Sequence, residues 1–88
     1  MPSTAAPTIT LRVLLFASYA DLLGFDQLEL SVAAPATVGD ILTRLRALPG
    51  GERLPPKPLC ALNLAHVTAE ATLSGGDELA ILPPLAGG

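Results

Sequence analysis

Thr37-Val38-Gly39-Asp40-Ile41-Leu42-Thr43-Arg44-Leu45-Arg46-Ala47-Leu48 is the stretch on which the fold turns. Val38, Ile41, Leu42, Leu45 and Leu48 recur at helical spacing and line one side of a helix with aliphatic side chains. Thr37 is placed to cap that helix, and Asp40, three residues on, completes a capping-box pattern. Arg44 and Arg46 fall toward the negative end of the helix dipole. Pro49-Gly50-Gly51 stops the helix. One helix with one apolar stripe calls for a sheet to lie on.

The flanking sequence supplies that sheet. From Ile9 to Phe16, Ile9, Leu11, Val13 and Leu15 share one face, and Thr10, Arg12, Leu14 and Phe16 the other. Gln27 to Val32 alternates Leu28, Leu30 and Val32 with polar residues, the pattern of a strand buried on one side. Its closeness in sequence to the first strand predicts antiparallel pairing. Between them, Ser18 is read as the N-cap of a short helix carrying Tyr19, Leu22 and Leu23, ended by a left-handed Gly24. Gly50 to Pro58 reads as a loop. Leu59 to Asn63 is a third strand, with a short strand around Val67. Ser74-Gly75-Gly76-Asp77 is a turn, and Glu78 to Leu82 is the last strand, stopped by Pro83-Pro84. The predicted class is α+β: a mixed sheet with the helix across one face. Leu11, Val13, Leu79 and Ile81 should meet the stripe Val38, Ile41, Leu42 and Leu45. Residues 1–8, with Pro2 and Pro7, are read as a disordered N-terminal arm, residues 9–82 as the single domain, and residues 83–88 as an extended tail.

Composition narrows the function. In 88 residues, 50% hydrophobic and 15% charged, there is material for one core and no second. Net charge is −3, which argues against nucleic acid as a partner. No run is long and apolar enough to predict a membrane span, and the N-terminus lacks the pattern of a signal peptide. With one cysteine, Cys60, the expected compartment is the cytoplasm. One cysteine and one histidine, His66, leave no disulfide framework or His-rich metal centre, so no metal is expected. Cys60 lies in an apolar strand and reads as a core residue; His66 reads as a surface or turn residue. Asp77 and Glu78 are turn chemistry, and Gly75-Gly76 lacks the lysine of a phosphate loop.

The unusual feature is the end. Leu82-Pro83-Pro84-Leu85-Ala86-Gly87-Gly88 leaves the last strand directly and carries no charge before its own carboxylate. Two prolines stiffen the exit. Two terminal glycines, without side chains, suit passage of that carboxylate into a narrow channel. By alternation, Phe16 and Leu82 point to the sheet face opposite the helix, beside the exit, and are read as a partner interface.

The stretches Leu14-Leu15-Phe16-Ala17-Ser18-Tyr19-Ala20-Asp21-Leu22-Leu23-Gly24, Ala61-Leu62-Asn63, and Leu73-Ser74-Gly75-Gly76-Asp77-Glu78-Leu79-Ala80-Ile81-Leu82 through to Gly87-Gly88 resemble the small subunits of molybdopterin synthase, over Ile9 to Gly88. The arm Met1–Thr8 and the loop Pro49–Pro58 depart from that pattern. The resemblance implies a ubiquitin-like β-grasp and a sulfur carrier for molybdenum cofactor biosynthesis, a non-catalytic subunit of a two-component sulfurtransferase. It implies that the Gly88 carboxylate is adenylated by an ATP-using, ubiquitin-activating-like enzyme and becomes a thiocarboxylate. A large subunit, joined in a heterotetramer, would take Pro84, Leu85, Ala86, Gly87 and Gly88 into its active site. There sulfur passes to cyclic pyranopterin monophosphate, with no cofactor bound to the carrier itself. A thiamine-pathway sulfur carrier, a ubiquitin-like protein modifier and a plain interaction domain are the alternative readings.

Overall fold

The computed structural model describes residues 7–84. In chain order they form β1 (Thr8–Leu15), α1 (Ser18–Leu23), β2 (Gln27–Ala33), α2 (Val38–Arg46), a 3-10 turn (Gly51–Arg53), β3 (Leu59–Leu62), β4 (Ala65–Val67) and β5 (Glu78–Leu82). The strands make one sheet in the order β2-β1-β5-β3-β4. β1 pairs antiparallel with β2 and parallel with β5, and β3 is antiparallel to both β5 and β4.

α2 forms as its sequence dictates. The Thr37 hydroxyl accepts from the Asp40 amide at 3.3 Å, and the Asp40 carboxylate accepts from the Thr37 amide at 2.8 Å. Both hydrogen bonds of the capping box are present, satisfying amide groups that a helix start leaves without partners. Val38, Ile41, Leu42 and Leu45 are buried against the sheet residues Leu11, Val13, Leu79 and Ile81. Large aliphatic side chains of this kind each contribute about 1.5–3 kcal/mol on full burial.

The structure departs from the sequence-based expectation in several places. β1 begins at Thr8, which pairs with Ala33, so the sheet reaches into the segment read as an arm; Met1–Ala6 lie outside the described residues. β1 ends at Leu15, and Phe16 is not part of the strand. Ser18 is not the N-cap of α1. That position belongs to Ala17, at φ 50 and ψ −126, and no side chain caps the helix. The turn is held instead by backbone bonds from Tyr19 to the Phe16 carbonyl and from Ala20 to the Ala17 carbonyl, each 3.1 Å. α2 stops at Arg46, two residues before Leu48. The loop after it contains the 3-10 turn, which buries Leu54 and Gly51. β3 ends at Leu62, because Asn63 and Leu64 both take left-handed dihedrals and form the β3–β4 turn.

Asn63 has a further role. Its side-chain amide donates to Asp77 at 2.9 Å, and its side-chain oxygen accepts from the Glu78 amide at 2.9 Å. Asp77 also accepts from the Ser74 amide at 2.7 Å. This network joins the β3–β4 turn to the Ser74–Asp77 turn and sets where β5 begins.

Candidate functional site at the exit of the C-terminal tail

β5 lies in the middle of the sheet, between β1 and β3. Its last pairings are Ile81 with Leu15 on one side and Leu82 with Leu59 on the other. Phe16 follows the Leu15–Ile81 pair by one residue, past the end of β1. Pro83 and Pro84 follow, and neither has an N–H to continue a ladder. The chain therefore leaves the sheet at the end of the fold that carries Phe16 and Leu59. These two residues are 44% and 49% exposed, and no other large hydrophobic residue among those described is as exposed except Leu64 at the β3–β4 turn.

The sheet face away from α2 has two characters. Toward the exit it is apolar: Leu14, Ala80, Leu82 and Ala61 are half-buried beside Phe16 and Leu59. Leu14 and Phe16 also border a groove of about 390 Å³ that reaches Gln27. Toward the other end the face is polar. The Thr10 and Ser31 hydroxyls are hydrogen-bonded at 2.8 Å, and Arg12 stands 3.9 Å from Glu78. That ion pair is half exposed, so its contribution is within about 0–1 kcal/mol. Apolar side chains collected at one end of an open sheet face are the arrangement of a docking surface.

Of the site residues read from the sequence, Phe16, Leu82 and Pro84 are brought to one end of the fold, with Pro84 exposed at the exit. Leu85, Ala86, Gly87 and Gly88 lie outside the described residues. Leu59 was missed, although the alternation of Leu59 and Ala61 against Cys60 and Leu62 carries its signal.

Cys60 is buried and its thiol hydrogen-bonds the Pro58 carbonyl at 3.5 Å. Burial pushes this thiol up from its ordinary value, which disfavours the thiolate. The buried Tyr19 phenol is pushed up by burial and by the nearby Cys60. His66 is exposed on β4. Among the described residues no three His, Cys, Asp or Glu side chains are grouped to hold a metal, and no helix is long and apolar enough to cross a membrane.

A mixed sheet grasping one helix, with its central strand running out into a Gly-Gly tail, defines the ubiquitin-like β-grasp proteins. Within them the chain belongs to the ThiS family, whose model matches residues 13–88. It is 34% identical over 82 residues to the molybdopterin synthase sulfur carrier subunit of Arabidopsis thaliana, covering 92% of this chain and 85% of that one. Its fold superposes on the crystal structure of SAMP1, a small archaeal modifier protein from Haloferax volcanii, with a TM-score of 0.78 and 31% identity over 90% of this chain and 99% of that one. Subunit 1 or 2 in the complex of molybdopterin-converting factor from Helicobacter pylori shares the fold at a TM-score of 0.69, with 18% identity over 91% of this chain and all of that one.

Proposed function

We propose that this chain is the sulfur-carrying subunit of a molybdopterin synthase and that the Gly88 carboxylate is its reacting group. The observation that carries the reading is the mounting of the tail. A central strand ends at Leu82, two prolines break the ladder, and the remaining residues to Gly88 carry no charge before the terminal carboxylate. A carboxylate is a poor electrophile. An activating enzyme that uses ATP converts it to an acyl adenylate, whose AMP is a good leaving group. Sulfur displaces the AMP, leaving a thiocarboxylate on Gly88. The apolar end of the sheet face, with Phe16, Leu59 and Leu82, docks on a large subunit, and the tail enters that subunit's active site. There the sulfur passes to cyclic pyranopterin monophosphate. The large subunit supplies acid–base groups, and the carrier supplies the reactive atom. ATP-dependent activation of this kind belongs to the cytoplasm.

A protein-modifier role is the second reading, favoured by the 31% identity to a small archaeal modifier protein. It shares the activation step and ends in an amide to a lysine in place of sulfur transfer. Intact-mass measurement after incubation with the activating enzyme, ATP and a sulfur source separates the two. Replacement of one oxygen by sulfur, followed by its loss when large subunit and pterin precursor are added, is the expected result. An adenylated chain that never takes up sulfur but appears on lysines of other proteins would assign the modifier role.

A further inference from the structure

The two edges of the sheet are unequal. β4 closes one side with three residues, Ala65–Val67, and β2 closes the other with seven, Gln27–Ala33. β2 pairs with β1 in one unbroken register, from Thr8 with Ala33 to Leu14 with Gln27, so no bulge twists its outer margin away. It holds no proline and no lysine, and Glu29 is its single charge. Natural sheets blunt a free edge with such residues and bulges, and β2 is left nearly bare of them. The direction of its backbone groups follows from its two ends. The Asp26 carbonyl accepts from the Leu15 amide at 2.9 Å, and the Ala34 amide donates to the Pro7 carbonyl at 2.7 Å. In an antiparallel pair these groups alternate along the strand. The even-numbered residues of β2 therefore face β1, and Gln27, Glu29, Ser31 and Ala33 turn their N–H and C=O groups outward. All are exposed, and among the described residues no strand lies along that side. Leu28 and Leu30, on the helix side, are only half-buried, so the core leaves this margin of the sheet partly uncovered.

We propose that the outer edge of β2 takes β2 of a second copy of this chain, antiparallel, about a two-fold axis at Leu30. An axis normal to the sheet keeps the helix-side faces of both copies together and fixes the register. Gln27 then meets Ala33 of the second copy and Glu29 meets Ser31, each pair formed twice by symmetry. These are the residues whose backbone groups turn outward, so each pair exchanges both of its N–H to C=O bonds. On the helix side Leu30 meets its own symmetry mate and Leu28 meets Val32, which carries the apolar row across the junction. Charge and backbone chemistry select this register over its neighbours. An axis at Glu29 would set two carboxylates opposite each other, which is destabilising. An axis at Ser31 would set Gln27 against Pro35, which has no N–H to give. At Leu30, each Glu29 faces a neutral serine. The occupant is a second copy because the edge is its own complement: one strand supplies the donors, the acceptors and the apolar row on both sides. The paired strands run in opposite directions, so the two β5 strands point to opposite ends of the joined sheet. This pairing is independent of the carrier reading.

Sedimentation equilibrium on the full chain, at concentrations raised into the millimolar range, measures the association. The average mass should climb from 9.0 kDa toward twice that value. Amide hydrogen exchange should show Gln27, Glu29, Ser31 and Ala33 gaining protection as the dimer forms, while Leu28, Leu30 and Val32, bonded to β1, are protected already. Ser31→Lys and Ser31→Glu check the register. Both lose the hydroxyl bond to Thr10, so the difference between them isolates charge. A cation there faces Glu29 of the second copy twice, and an anion is repelled by it twice. The dissociation constant of Ser31→Lys should therefore be about tenfold below that of Ser31→Glu. Ser31→Pro removes an outward N–H without taking a bond from β1, and should stay monomeric while still melting cooperatively. A wild-type chain that keeps the monomer mass throughout, or protection of the outward amides that does not change with concentration and so belongs to the chain itself, would overturn the proposal. So would a dimer that protects other amides, or equal dissociation constants for the two charged Ser31 variants.

Discussion

Leu82, the last residue of the sheet before the tail, is in register with Leu59, an exposed leucine at the start of β3. Phe16, on the other side, follows the Leu15–Ile81 pair by one residue. β5 thus ends where two large, exposed apolar residues, Phe16 and Leu59, begin their own segments.

Truncating those two side chains should separate binding from stability. Phe16→Ala and Leu59→Ala should each weaken binding to the large subunit by about 1–3 kcal/mol, the range of an interface anchor. Neither should cost much stability, since both side chains are about half exposed. Leu45→Ala, at a site with no exposed surface, opens a core cavity worth about 2–5 kcal/mol. Calorimetric titration and thermal melts on the three variants decide the matter; a Phe16→Ala chain that melts early and binds normally would place Phe16 in the core.

The chemistry at the terminus is addressed by three variants. Deleting Gly88, or adding one residue after it, should abolish sulfur transfer, because adenylation needs the terminal oxygen at that place. Gly87→Ala should slow activation or transfer, since a Cβ narrows the tail and restricts its dihedrals. All three variants should melt with the wild type. Sulfur transfer retained by the Gly88 deletion would reassign the reacting group.

Gly51→Ala should destabilise the domain strongly. Gly51 is buried, and a Cβ there would overlap the Leu45 carbonyl at the end of α2, a backbone atom that has no rotamer to move to. Overpacking of this kind costs about 1–3 kcal/mol. The neighbouring Gly50 is tighter in another way: at φ 87 it is left-handed, and its own Cβ would meet the Leu22 carbonyl. Denaturant melts on Gly51→Ala measure the cost; an unchanged midpoint would show that the 3-10 turn can swing away from α2.

The buried thiol predicts an alkaline weakness. Burial raises the Cys60 pKa in the fold, so on raising pH the unfolded chain gives up its thiol proton first. The unfolded state then binds fewer protons than the folded one, and stability falls. The window opens near the ordinary thiol value, about 8.5, and closes once pH has passed the raised folded value. Thermal melts between neutral and alkaline pH should show the fall, and Cys60→Ala should flatten the part that begins near the thiol value. An identical slope in both proteins would assign the loss to Tyr19 or other groups.

The sequence made the elements legible where neighbours in the chain decide them. The Thr37–Asp40 box and the Val38–Leu45 stripe are local, and both stand in the structure where the spacing put them. So does β5, bounded by a turn and two prolines. The start of α1 was misread because Ser18 is a good cap by type, while the backbone at Ala17 settles the entry angle. Leu54 and Gly51 were read as loop because only tertiary contact with α2 and α1 gives them buried places. At the exit, the face of Leu82 followed from alternation, while Phe16 lies one residue past the end of β1. Leu59 was missed although alternation carries its face, because only the pairing of β3 with β5 brings it to the exit. Asn63 belongs to the same group: its partners Asp77 and Glu78 are more than a dozen residues away.

The placement of β5 also has a mechanical meaning. Under the carrier reading proposed above the tail is a handle, and the strand it follows is held on both sides. Tension applied at the terminus runs along β5 and loads its bonds to β1 and β3 together, in shear, so no single bond peels first. Strands of this kind open only with the whole domain. A pull on the end of β5 is therefore resisted by two neighbouring strands at once.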